Sequence, residues 1–293
     1  MVKIKQILCP VDFSEFALRA FDYAYSLARR YDAKLYLQHA IRPLTEYSYN
    51  VLPPLAQEFY EHSRAESEDE LRKMIGRQAT NSLKPQIVVQ VGFPAQTILD
   101  FAKKQPIDLI VMGTHGLQGL DRWMMGSVTE KVIRKAQCPV LAVRKPMHDF
   151  VVPKAADDPV QLRKILLATD FSDYGQRAFA YAISLAMEYN AELTLLHVLE
   201  DVPHGEELSA VTARLIRELE APVPADARSW CTIKSTVRVG KPYQEIVQLA
   251  LDSRTDLIVL GVRGRGGADL ALFGSTTYRV LELGSAPVLA VHI

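Results

Sequence analysis

One feature constrains this chain more than any other: it contains the same pattern twice. The 28 residues from Asp12 to His39, DFSEFALRAFDYAYSLARRYDAKLYLQH, align without a gap on Asp170 to His197, DFSDYGQRAFAYAISLAMEYNAELTLLH, and sixteen are identical. Further on, Val91-Gly92-Phe93-Pro94 matches Val239-Gly240-Lys241-Pro242, but ten residues have gone from the middle of the second copy. The same shift pairs Gly113 with Gly261, Gly126 with Gly274, and Pro139 to Val143 with Pro287 to Val291. A tandem duplication requires one fold used twice. At 293 residues the chain is long enough for two domains of ordinary size. The expected division is 1–146, a linker at 147–161 carrying prolines and charges, and 162–293.

Each copy alternates strands and helices. In the first, strands are expected at Lys5–Val11, Ala33–Ile41, Gln86–Val91, Ile107–Met112 and Val140–Arg144. Ala17, Ala20, Phe21, Ala24, Leu27 and Ala28 recur at helical spacing behind Ser14, a candidate N-cap. A charged amphipathic helix follows at Leu55–Ala79, a third opens at Gly92 and Pro94, and a fourth covers Val128–Ala136. Such alternation implies right-handed crossovers. The fold class is therefore α/β, with two tandem doubly wound, Rossmann-like parallel sheets of five strands each.

Composition removes several function classes. The 34 Lys and Arg balance the 34 Asp and Glu, so no basic excess points to nucleic acid. Three widely spaced cysteines and no CxxC disfavour a disulfide framework or zinc ribbon and fit a reducing compartment. The N-terminus lacks an apolar signal core, and no run approaches the ~18 apolar residues of a membrane helix. The expectation is a soluble cytoplasmic protein.

In an open parallel sheet, ligands bind beyond the carboxyl ends of the strands where the winding reverses. Here those loops are Pro10-Val11-Asp12-Phe13-Ser14 and Ala168-Thr169-Asp170-Phe171-Ser172, after the first strand of each copy. After the fourth strand comes Gly113-Thr114-His115-Gly116, nine residues, then Gly126-Ser127-Val128-Thr129. Its counterpart is Gly261-Val262-Arg263-Gly264, nine residues, then Gly274-Ser275-Thr276-Thr277. Glycines let the backbone approach a ligand closely. Gly126-Ser127 and Gly274-Ser275 sit where a helix begins, so its free N–H groups and dipole face an anion, with the Ser and Thr hydroxyls as further donors. The result is a phosphate cradle without lysine. There is no GxxxxGK, so it is no P-loop, and its position after the fourth strand differs from the dinucleotide fingerprint. Two copies that drifted elsewhere yet kept this spacing argue against a mere turn.

The strand-end DFS, the strand ending in His39, and MGTHG followed after nine residues by GSVTEKVIRKAQCPVLAVR resemble the universal stress protein family, in its ATP-binding branch. The resemblance covers both copies and implies an adenine nucleotide α-hydrolase-like fold with ATP as ligand, with Mg²⁺ where the phosphates bring it. It implies that Asp12 and Asp170 lie by the adenosine and that Ala40 and Val198 present backbone groups to adenine. Met112, Gly113, His115, Gly116, Gly126, Ser127, Val128 and Thr129 would wrap ribose and phosphates. The second-copy set is Leu260, Gly261, Arg263, Gly264, Gly274, Ser275, Thr276 and Thr277. That copy departs from the pattern with Ala168 for proline and Arg263 for histidine. Neither change removes a backbone donor, and Arg263 with Arg265 adds phosphate attraction, so two competent sites of unequal affinity are expected. The family also pairs last-strand edges in a dimer; a tandem chain can do this internally as a pseudo-dimer, with further homodimerisation open.

Other residues have plainer roles available. Asp12 and Asp170 suit capping of the first helix, and His39 and His197 suit hydrogen-bonded core positions. Phosphoryl transfer demands charge neutralisation and an oriented nucleophile. Neither a catalytic triad nor a carboxylate pair is legible near the loops. A nucleotide-binding regulatory or sensor protein with at most slow hydrolysis is favoured over an ATP-hydrolysing enzyme of the wider group and over a nucleotide-free interaction scaffold.

Overall fold

The computed structural model describes residues 2–44, 53–78, 83–114, 125–144, 149–151, 160–262 and 274–292. The first half runs β1 (Gln6–Pro10), α1 (Glu15–Tyr31), β2 (Lys34–Ile41), α2 (Pro53–Gly76), β3 (Gln86–Val91), α3 (Pro94–Lys104), β4 (Leu109–Gly113), α4 (Ser127–Lys135) and β5 (Val140–Val143). The second repeats it: β6 (Lys164–Ala168), α5 (Asp173–Tyr189), β7 (Glu192–Leu199), α6 (Leu208–Glu220), β8 (Thr232–Val239), α7 (Pro242–Asp252), β9 (Leu257–Gly261), α8 (Ser275–Leu283) and β10 (Val288–Val291). The ten-residue difference falls mainly in one helix: α2 has 24 residues and α6 has 13, with small compensating changes in the neighbouring loops and in β8.

Serine starts the first helix of each half. Ser14 accepts from Ala17 N–H at 3.1 Å and Ser172 from Gly175 N–H at 3.2 Å. Both helices end at a residue with φ of 50°, Asp32 and Asn190, two of the few types that tolerate the left-handed region.

All ten strands join one sheet in the order β3-β2-β1-β4-β5-β10-β9-β6-β7-β8. Within each half the pairing is parallel; the halves meet where β5 and β10 run antiparallel, with Leu141 opposite Leu289. The last-strand edges thus cover one another, as the pseudo-dimer expectation required. One core lies on the face of α1, α2, α5 and α6, and a second on the face of α3, α4, α7 and α8. The equivalent Tyr31 and Tyr189 meet between the halves, their hydroxyls 3.3 Å apart. The segment between the copies is anchored at both ends. Phe150 and Val160 are buried, Val151 bridges Val160, and Arg19 and Tyr23 both hold the Asp149 carboxylate.

Element limits differ from expectation by a few residues. β1 stops at Pro10 rather than Val11, β4 extends to Gly113, and α4 starts at Ser127.

Candidate functional site

With strand order 3-2-1-4-5, the winding reverses between β1 and β4, and between β6 and β9 in the second half. Because β5 and β10 are antiparallel, these two crevices open at opposite edges of the sheet.

Beyond β1, Asp12 Oδ1 accepts from Ser14 N–H at 3.1 Å, and Asp170 Oδ1 accepts from Ser172 N–H at 3.1 Å. The aspartates therefore shape an Asx turn ahead of the helix, and the cap itself is serine. Between them Phe13 and Phe171 adopt φ of 63° and 62°, a conformation costing about 1 kcal/mol or more that the surroundings must enforce. Each ring lies on a histidine, Phe13 on His39 with centroids 4.7 Å apart and Phe171 on His197 at 4.6 Å. The histidines in turn reach the Val11 and Thr169 carbonyls through Nδ1 at 2.8 Å. A carbonyl only accepts, so Nδ1 carries the proton. His39 and His197 thus pin the loop from the core side, in line with their expected hydrogen-bonded role.

Gly113 organises the other wall. A Cβ placed there would meet Phe16 Cβ at 2.8 Å and the Phe16 carbonyl carbon at 2.9 Å; at Gly261 it would meet Tyr174 at the same 2.8 Å. The glycine lets the first turn of α1 lie directly against the end of β4. Its carbonyl receives the Thr129 hydroxyl at 2.8 Å, matched by Thr277 on Gly261 at 2.9 Å. Gly126 N–H then closes the loop onto the Thr114 carbonyl at 2.7 Å, and Gly274 closes on Val262 at 3.3 Å. So Gly113 and Gly261 join the starts of α1 with α4 and of α5 with α8. Thr129 and Thr277 are buried and their hydroxyl protons are committed to these carbonyls, so they position the helix rather than offer donors outward. Ser127 and Ser275 remain exposed.

The starts of α4 and α8 differ from those of α1 and α5. Their caps are Gly126 and Gly274, which have no side chain to accept from the first turn. A Ser or Asp cap would add only about a few tenths of a kcal/mol over glycine, and glycine leaves the first-turn donors open to an external acceptor. That is the donor set a phosphate requires.

The remaining candidates divide by burial. Val11, Met112, Ala168 and Leu260 are buried in the cores, leaving only their backbone for a ligand. Pro10, Ala40, Val128, Thr169, Val198 and Thr276 are half-buried at the crevices. Thr169 also accepts from Phe171 N–H at 3.0 Å. His115, Gly116, Arg263 and Gly264 lie outside the described residues.

Sequence reasoning missed the Phe–His stacks, the Thr–Gly ties and the helix contact that demands Gly113. It also missed Gln38, 2% exposed, which donates through Nε2 to Gln90 Oε1 at 2.8 Å and to the Thr97 carbonyl at 3.0 Å. A lone Gln in an apolar strand was the available signal. Among the described residues no group of three or more His, Cys, Asp or Glu is placed to hold a metal ion. Nor is any of their helices long and apolar enough to cross a membrane.

With this geometry in view, comparison with known proteins is direct. A universal stress protein of Methanocaldococcus jannaschii is 36% identical over 151 residues, covering 50% of this chain and 85% of that protein. A universal stress protein of Mycolicibacterium smegmatis is 26% identical over 302 residues, 98% of this chain and 96% of the other. Among solved structures, a universal stress protein from Archaeoglobus fulgidus superposes with a TM-score of 0.72 at 21% identity, covering 98% of this chain and 97% of that one. That likeness establishes the shared tandem fold. The profile of the universal stress protein family matches residues 3–144 and again 161–292, and the chain belongs to that family.

Proposed function

We propose that this protein is a nucleotide-binding regulator or sensor of the stress response, with two adenine-nucleotide sites, ATP as ligand and at most slow hydrolysis. One observation carries the reading: in both halves the helix facing the crevice starts at a glycine, while the neighbouring helix in the same crevice starts at a bonded serine. The tied Gly113 and Gly261 hold that open helix end beside the strand ends, where backbone groups of Ala40 and Val198 are available to a base. ATP would supply the anionic acceptor, and Mg²⁺ would come with its phosphates, as that ion commonly does. The regulatory reading rests on what the loops lack. The residues 113–116 and 126–129 contain no lysine. Asp12 is engaged in its own turn, which places it poorly as a base for phosphoryl transfer. A signal arises if ATP binds one loop state better than another. The same reading makes the protein cytoplasmic and soluble, with the domain limits 1–146 and 162–293. Two chains that associate must use a surface other than the β5–β10 seam.

The test is extraction of ligand from the purified protein, followed by titration calorimetry with ATP. ATP at up to two per chain supports the reading. Several turnovers per second with Mg²⁺ would mark an enzyme instead, and no bound or binding nucleotide would mark a scaffold. Gly126→Val is expected to abolish binding in the first half and spare the second; unchanged stoichiometry would overturn the assignment of that loop.

A further inference from the structure

We propose that Arg144 and His292 are positioning residues that make each nucleotide site depend on the opposite half of the chain. The inference rests on the reading of α4 and α8 as phosphate-binding helices. The two residues are equivalent in the duplication, each following the last strand of its copy. Each crosses the seam. Arg144 Nη1 donates to the Glu282 carbonyl in the last turn of α8. His292 Nε2 lies 2.5 Å from the Ile133 carbonyl in the last turn of α4. His292 is buried, and Arg177 Nη1 holds its carbonyl at 3.2 Å.

These contacts reach both loops. The residue before Arg144 accepts from the first loop, Thr114 N–H on the Val143 carbonyl at 3.0 Å; Val262 N–H on the Val291 carbonyl repeats this at 3.0 Å before His292. Each crossing residue therefore stands on the strand end that anchors its own loop and grips the helix into which the other loop runs. The gripped helices have nine residues each, about 13 Å at 1.5 Å per residue, too short to bend, so a hold on the last turn steadies the first. The two grips are unequal. Arg144 meets a helix end carrying the buried Glu282 carboxylate, itself held by Arg279 at 2.8 Å, whereas the equivalent residue of α4 is Arg134.

The experiment is ATP calorimetry on the full chain in two single-site backgrounds, Gly126→Val leaving the second site and Gly274→Val leaving the first. Arg144→Met is expected to weaken the second site by about 2- to 13-fold, the worth of one lost hydrogen bond. It should leave the first site within about twofold, and Arg144→Lys should recover most of the loss. His292→Leu should do the mirror image, with His292→Gln recovering. Weakening of the first site by Arg144→Met, or of neither, overturns the proposal. Hydrogen exchange without nucleotide separates the two readings. Arg144→Met should speed exchange in the last turn of α8 and not in α4. If the wild type binds no ATP, the phosphate reading fails on its own, and unchanged exchange in α8 would overturn the grip.

Discussion

Gly113→Ala is the sharpest single perturbation of the site, because the obstacle is backbone. The added Cβ would lie 2.8 Å from Phe16 Cβ, 2.9 Å from its carbonyl carbon and 3.0 Å from its carbonyl oxygen. Ordinary contact starts near 3.4 Å, so either the first turn of α1 retreats by more than half an ångström or Gly113 moves away from it. The turn is held by the Ser14 cap and the Asp12 bond, so it resists. Movement of residue 113 instead stretches its 2.8 Å bond to Thr129 and shifts the start of α4. Overpacking of this kind costs about 1–3 kcal/mol. At roughly 2–4 °C per kcal/mol the melting temperature should fall by about 2–12 °C. Calorimetry should show the first nucleotide site weakened and the second intact, with Gly261→Ala giving the converse. Gly76→Ala is the control: its Cβ meets nothing within 4 Å, so the change should be neutral or stabilise by about 0.5–1 kcal/mol. A Gly113→Ala protein that melts with the wild type and binds two nucleotides equally well would refute the account of this glycine.

Three further outcomes follow from individual groups. Thr129→Val removes the donor from the Gly113 carbonyl and should destabilise the chain by about 1–3 kcal/mol in urea unfolding, with ATP affinity reduced at the first site alone. Burial raises the Asp22 carboxyl above its ordinary value, although Gln78 and Arg19 pull it back. The folded state then binds the proton more tightly than the unfolded one, so this group erodes stability as pH rises through the carboxylate range and beyond. Asp22→Asn should therefore stabilise at neutral pH, with the gain fading as pH falls toward 4, read from unfolding curves across pH. Burial also pushes the Cys138 thiol up to about 12 and the Cys9 thiol still higher. Both should resist iodoacetamide in the native protein and react promptly in denaturant, by mass spectrometry.

Much of the fold was legible because duplication tests each reading twice. The apolar spacing of α1, the Ser14 cap and the parallel sheet all follow from local patterns, and the β5–β10 seam follows from the family resemblance applied to a tandem chain. The contents of the crevice were less legible, because they depend on which atoms meet across distant segments. The spacing presents Gly113 as a glycine that faces a ligand; the structure adds Phe16, nearly a hundred residues earlier, packed against it. Thr129 was read as a donor, and only the fold reveals an acceptor sixteen residues back. Linker composition likewise hid the burial of Phe150 and Val160, since two apolar residues in a polar stretch make no period.

Fusion of two copies also changes what the seam can do. In a dimer of identical chains, the residue that crosses from one subunit is the residue that crosses back, so both grips must be alike. A tandem chain is free of that constraint, and this one uses the freedom at the seam, with Arg144 reaching α8 and His292 reaching α4. The same divergence shortens α6 relative to α2 and puts Leu196 where the first copy buries Gln38. The shared parts, namely the serine-capped first helix, the Phe–His stack, the Thr–Gly tie and the glycine-capped helix start, are those that build the crevice wall. Change is visible at the seam and in α6, and single residues have also changed in the crevice loops, Pro10 to Ala168 and His115 to Arg263. On the proposed function, a duplicated pair with the same crevice wall and an unbalanced seam should bind the same ligand at two different affinities, which calorimetry on the two single-site variants would read.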